Sequence, residues 1–255
     1  MVTLSQLVRH LDETLRLADF ASDCSNNGLQ AEGKREVRRA VFGVDACQAL
    51  FLEAERRDAD FIFVHHGMSW GANPRRFTGI VAARLRMLFA GNRSLYAAHL
   101  PLDAHPELGN NAELCRIVGV ADRKPYCEYA GVLIGFTGIP LRREETAEAL
   151  TRRLSGELGC EGRLFGDGGK KAGRIAVVSG GGGLDALEQA AESGADLLIT
   201  GEMGHEMLHP ARELGVTVIA LGHYASETVG PRAVMRRLRE TFDLETEFID
   251  LPTGL

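Results

Sequence analysis

Apolar residues recur at helical spacing over residues 4–17 (Leu4, Leu7, Val8, Leu11, Leu15), which predicts an amphipathic helix capped by Thr or Ser. The polar stretch 25–30, rich in Asn and Gly, reads as a turn. Short apolar runs at 37–44, 60–64 and 94–98 then read as strands, with helical segments at 47–57 and 78–89 between them and another at 111–118. Later in the chain, strands are predicted at 131–137, 175–179, 196–200 and 216–221, with an edge strand at 245–249. The intervening segments 143–158, 184–192, 205–214 and 231–242 have helical patterning. Strands alternating with helices imply mainly parallel pairing and right-handed crossovers.

The two halves repeat one pattern. Ala40-Val-Phe-Gly-Val through Asp60-Phe-Ile-Phe-Val-His65-His66 aligns without a gap, at an offset of 136 residues, with Ala176-Val-Val-Ser through Asp196-Leu-Leu-Ile-Thr-Gly201-Glu202. Each half also carries a histidine followed four positions on by a carboxylate: His99 with Asp103, and His223 with Glu227. The expected fold is therefore α/β, built as two similar interlocked lobes from an internal duplication, residues 1–128 and 129–255.

These polar residues fall where α/β proteins bind ligands, beyond the carboxyl ends of strands. His65 and His66 end one strand, His99 and Asp103 follow the next, and Glu202 and His223 follow their counterparts. Neighbours on a strand point to opposite faces. Either the backbone is already turning at Gly67, or the two histidines serve separate ions. His223 and Glu227, at i and i+4, would project from one face of a helical turn. Imidazoles with carboxylates suit zinc, iron or manganese. Five of these donors already exceed the needs of one tetrahedral ion with an open position, and two ions sharing a carboxylate would use all five. The run Ser179-Gly180-Gly181-Gly182-Gly183 joins a strand to a helix. It is either a phosphate cradle or a tight turn where the backbone passes close to metal ligands.

Composition narrows the partners. A net charge of −6 without a dominant basic patch argues against nucleic acid as main partner. No apolar run reaches the roughly 20 residues that span a bilayer, and no signal peptide is evident. Five scattered cysteines without a Cys-x-x-Cys pair suit reduced thiols, so a cytoplasmic location is expected.

The residues quoted so far, with Asn27-Gly28-Leu29-Gln30, Val64-His65-His66-Gly67 and Trp70, Asn110-Asn111 and Gly222-His223-Tyr224-Ala225-Ser226-Glu227, carry a resemblance. The chain resembles the NIF-three-like dinuclear metal-centre family, the GTP cyclohydrolase 1 type 2 homologues, over nearly its whole length. The resemblance implies that His65, His66, Asp103, His223 and Glu227 bind two divalent metal ions per subunit, with Glu227 as bridge. It implies a site in the cleft between facing lobes, and a toroidal homohexamer. His99 would stand beside the metals as a proton-transfer group, and Glu202 would line the same pocket. The departure from the family lies at Gly201-Glu202-Met203-Gly204-His205, where members often carry aspartate and a tyrosine-histidine pair.

The function expected is a dinuclear metal-dependent hydrolase, GTP cyclohydrolase 1 type 2-like. It would act on a nucleotide or heterocyclic amide through metal-activated hydroxide, with His99 and Glu202 moving protons. The alternative is a non-catalytic metal-binding scaffold or metal-handling protein that acts through partner proteins.

Overall fold

The computed structural model describes residues 1–255, which divide into two compact units. The first comprises Met1–Leu102 with Pro231–Leu251, and the second Asp103–Gly230 with Pro252–Leu255. Two stretches therefore cross the expected division at residues 128 and 129. The strand Glu245–Phe248 pairs in parallel with Arg39–Asp45 and forms an edge of the first sheet. The helix Asn110–Val118 packs Leu114, Cys115 and Val118 into the core of the second unit.

In the first unit the sheet runs Glu245–Phe248, Arg39–Asp45, Phe61–His66, Ser94–Ala97, Gly28–Ala31, with only the last strand antiparallel. Side chains alternate along Phe61–His66. Ile62 and Val64 join Leu50, Phe51 and Leu88 of the helices Gln48–Arg56 and Gly79–Ala90 in one core. Phe61 and Phe63 lie against Phe42 and Tyr96, with ring centroids 5.5–6.1 Å apart. The first helix, Leu4–Thr14, starts at a Thr3 cap that exchanges hydrogen bonds with Gln6, so the predicted cap is present.

The second sheet runs Val120–Tyr129, Val132–Pro140, Ile175–Val178, Leu197–Thr200, Thr217–Ala220, Arg163–Phe165. Its three central parallel strands are the counterparts of Arg39–Asp45, Phe61–His66 and Ser94–Ala97, and each triplet ends on an antiparallel strand. Helices Ala147–Leu158 and Asn110–Val118 cover Ile175, Val177, Leu197 and Ile219.

Three strands of the two large sheets lie outside the hydrophobic pattern. Gly28–Ala31 is a strand where the polar stretch predicts a turn, and Arg163–Phe165 is short. Val120–Tyr129 hides its strand period behind a run of exposed charged residues, and it pairs with Val132–Pro140 through a turn at Ala130 and Gly131. Both turn residues have positive φ, the conformation that two-residue hairpin turns demand.

The duplication also shows at the amino ends of the strands. Asp60, between the helix Gln48–Arg56 and its strand, accepts hydrogen bonds from Lys34 Nζ (2.7 Å) and from the backbone N–H of Arg38 and Arg39 (3.0 and 3.3 Å). Its counterpart Asp196 accepts from the N–H of Gly173 and Arg174 (3.1 and 3.2 Å), with Lys170 Nζ at 4.0 Å. Lys34 and Lys170, like Asp60 and Asp196, are 136 positions apart. Burial opposes the charge of Asp60, yet Lys34 and the two N–H groups outweigh it and lower its pKa.

A lowered carboxyl pKa contributes stability above the ordinary carboxylate range, and that contribution is lost as pH falls through the range toward the folded value. Asp60→Asn should therefore destabilise the protein by about 1–3 kcal/mol near neutral pH. Melting temperatures across pH should show the gap from wild type closing in acid; a gap independent of pH would contradict the clamp.

Candidate metal centre

His65 and His66 close the strand Phe61–His66, and both are anchored through Nδ1. His65 is fully buried and its Nδ1 lies 2.8 Å from the carbonyl oxygen of Ala98. His66 Nδ1 lies 2.9 Å from Asp45 Oδ1, on the neighbouring strand where Asp45 pairs with His66. A carbonyl oxygen only accepts, so Nδ1 of His65 carries the proton and Nε2 keeps its lone pair. Although the residues are adjacent on a strand, the ring centroids are 4.5 Å apart. Gly67 is needed here for space rather than for unusual φ. A Cβ on it would overlap the Gln30 amide and the Ala97 methyl.

His99, after the strand Ser94–Ala97, joins this pair. One nitrogen from each of His65, His66 and His99 lies within 4.8 Å of the others, and the His99 ring is centred 5.3 Å from that of His65. His99 donates its backbone N–H to Asn27 Oδ1 (2.7 Å), and its Nδ1 lies 2.9 Å from Asp23 Oδ1. Asp23 has an enclosed side chain, and it also accepts from Asn27 Nδ2 (2.8 Å) and from the backbone N–H of Ser25 (2.9 Å) and Leu100 (3.0 Å). Burial works against its charge, but the hydrogen bonds from His99, Asn27 and Ser25 prevail and take the carboxyl down to about 2. Sequence reasoning missed Asp23 and Asp45. Asp23 is 76 residues from His99 and Asp45 is 21 from His66, so no local spacing pairs them.

The second unit holds the remaining donors. His223 begins the short helix His223–Ser226; its Nδ1 is 2.6 Å from Glu202 Oε1 and its Nε2 3.2 Å from Glu227 Oε1. Glu227 is buried and Glu202 is about half exposed. The hydrogen bond to Glu227 leads the push on the His223 imidazole, burial resists it, and with Glu202 the pKa rises to about 9. The two carboxylates thus favour positive charge at this ring, whether a proton or a cation.

Asp103, also buried, accepts from Asn110 Nδ2 (2.9 Å) and Ser179 Oγ (3.2 Å). Asn111 holds the neighbouring backbone through Asp103 O (3.3 Å), Ile134 O (2.7 Å) and Ser179 N–H (2.6 Å). Asn110 and Asn111 therefore fasten Asp103, a role their adjacency in the sequence did not reveal. The glycine run acts as the close-passing turn: Gly180, at φ +61°, leaves no room for a Cβ beside Glu227. Its N–H donates to Ser226 Oγ (3.0 Å), which itself donates to His223 O (2.9 Å).

The two His-x-x-x-carboxylate elements are not equivalent by structure. Strand pairing and the hydrogen bonds Ala98 N–H to Val64 O and Leu221 N–H to Thr200 O make Ala98 the counterpart of Leu221. His99 therefore corresponds to Gly222, and His223 lies one residue further on. His10, His105 and His209 stay apart from these clusters. His10 packs edge-on against Phe242, His105 accepts the N–H of Glu107 and Leu108, and His209 is exposed.

The donor set fits a divalent transition ion. Each of the four histidines is held at Nδ1 by a carboxylate or a carbonyl, the arrangement that orients imidazole ligands. Fold and donors together define an α/β protein with histidine and carboxylate clusters able to hold metal.

A family model described as Duf34/NIF3 (NGG1p interacting factor 3) matches residues 2–253, and the chain belongs to that family. It is 45% identical over 259 residues to a Pyrococcus horikoshii protein called GTP cyclohydrolase 1 type 2 homolog, covering 98% of each chain. A protein of the same name from Escherichia coli K12 is 37% identical over 252 residues, covering 98% of this chain and 97% of its own. Among solved structures, protein ybgI of unknown function superposes with a TM-score of 0.91 at 37% identity, covering 100% of both chains. TTHA1606 from Thermus thermophilus follows with a TM-score of 0.84, 38% identity and the same coverage. No helix is long and apolar enough to cross a membrane.

Gly180→Ala should fold less stably, by about 1 kcal/mol or more from its positive φ alone, and should displace Glu227. Elemental analysis of the purified variant is expected to show loss of bound metal; wild-type metal content would contradict the packing role.

Proposed function

We propose that the protein is a dinuclear metal-dependent hydrolase of the GTP cyclohydrolase 1 type 2-like kind, acting on a nucleotide or heterocyclic amide. His65, His66, Asp103, His223 and Glu227 would hold two divalent ions, zinc, iron or manganese, with Glu227 shared between them. The observation that carries this reading is the anchoring of every one of these histidines at Nδ1. The relatives' printed name supports the choice of substrate class, and a toroidal homohexamer is part of the same proposal.

When bound, paired ions supply an acidified water near neutral pH and polarise the group under attack. His99 exchanges protons at Nε2, because its Nδ1 is committed to the buried Asp23 carboxylate. Asp23 itself stays charged through four donors and fixes the ring's tautomer and direction. Glu202 holds His223 through one oxygen while its partly exposed carboxylate remains available to take up a proton.

Alanine at His65, His66, Asp103, His223 or Glu227 is expected to remove metal and hydrolysis together, read by elemental analysis and a turnover screen that includes GTP. Full turnover by metal-free protein would overturn the proposal. Stoichiometric metal with no turnover on any nucleotide or cyclic amide would favour the metal-handling alternative.

His99→Gln tests the proton-transfer assignment separately. Turnover should fall by about 100-fold or more while bound metal stays at the wild-type ratio. Loss of metal in this variant would make His99 a ligand instead, which its place beside His65 and His66 allows.

A further inference from the structure

Trp70, the chain's single tryptophan, lies in the loop that follows the histidine pair and is partly exposed. Its ring neighbours are the site imidazoles. The His99 ring is 5.0 Å away and nearly perpendicular (71°), and the His66 ring is 6.1 Å away. The indole N–H is spent on Gly67 O at 3.0 Å, leaving the ring its π surface and apolar edges.

The ring is held firmly for a residue that is not enclosed. Trp70 and Asn73 exchange backbone hydrogen bonds of 3.0 and 2.8 Å. The same loop is stapled to residues 24–26 by Gly71 N–H to Cys24 O (2.6 Å), Asn26 N–H to Ser69 O (3.0 Å) and Asn26 Nδ2 to Ser69 Oγ (2.7 Å). On either side of that second segment, Asp23 and Asn27 fix His99. One stapled pair of loops therefore sets both the aromatic face and the proton-transfer imidazole. A partly exposed tryptophan contributes less to the core than an enclosed one, but a fixed aromatic face lowers the ordering cost of binding a flat ligand.

We propose that Trp70 is a stacking platform that selects planar nitrogen heteroaromatic substrates, such as purines, and presents their polar edge to His66 and His99. The inference rests on the hydrolase reading for the reaction, but it can be measured without it.

With one tryptophan, emission excited at the red edge of the indole band, where the four tyrosines do not absorb, reports on this residue alone. Guanosine should quench the emission of the full-length protein saturably, with or without chelator treatment, and ribose 5-phosphate should not. By calorimetry, Trp70→Leu should bind guanosine about tenfold or more weakly, and Trp70→Phe should retain most of the affinity. Unchanged emission at millimolar guanosine, equal quenching by ribose 5-phosphate, or wild-type affinity in a folded Trp70→Leu protein would each overturn the platform. Turnover without quenching sinks the platform and leaves the hydrolase reading; saturable quenching in metal-loaded protein that turns nothing over does the reverse.

Discussion

The arrangement at the strand ends depends on where the Nδ1 atoms of four histidines are spent. An imidazole left to itself exchanges tautomers and rotates, so neither nitrogen is dependable as a donor to an ion. Ala98 O, Asp45, Asp23 and Glu202 remove that freedom at His65, His66, His99 and His223. The anchors differ in strength. A neutral carbonyl fixes the tautomer of buried His65, whereas carboxylates orient the other three rings and, at His223, also favour positive charge. The ring with the neutral anchor is also the most deeply buried, where charge is costliest.

Duplication explains why the chemistry could be built without disturbing the fold. In both units the amino ends of the central strands carry a Lys–Asp clamp on backbone N–H groups, Lys34 with Asp60 and Lys170 with Asp196. The clamp fixes the crossovers at one edge of each sheet, and the polar residues of the site gather at the opposite, carboxyl edge, where α/β folds place ligands. Substitution at the carboxyl edge therefore leaves strand pairing intact. Position 66 and its counterpart 202 show the result, since one holds an imidazole and the other a carboxylate that orients an imidazole.

Much of this was legible from local pattern. The parallel triplets, the histidine pair and the offset repeat all express periodicity or identity within a short window, and each has the predicted place in the fold. What escaped was non-local or masked. Asp23 and Asp45 act across 76 and 21 residues, and neither sits in a motif that spacing alone would flag. The strand Val120–Tyr129 lies at a sheet edge and carries charge there, which blunts edge-to-edge pairing and also erases the alternation that would have revealed it. The one-residue slip between His99 and His223 is invisible in the sequence because both are followed by a carboxylate at the same spacing.

That slip bears on how the duplicated unit diverged. Were the copies still equivalent, His223 would follow its strand as closely as His99 and point from the same place. Instead Gly222, at φ +89°, occupies the His99 position and starts the helix that carries His223 and Glu227 one residue later. Among the proposed ligands, the first unit carries the imidazoles of His65 and His66, and the second carries the imidazole of His223 with the carboxylates of Asp103 and Glu227. Neutral donors alone would leave two dications uncompensated, and carboxylates alone would bind magnesium or calcium as readily as zinc or iron. A divergent repeat supplies both kinds, and the proposed dinuclear site needs both.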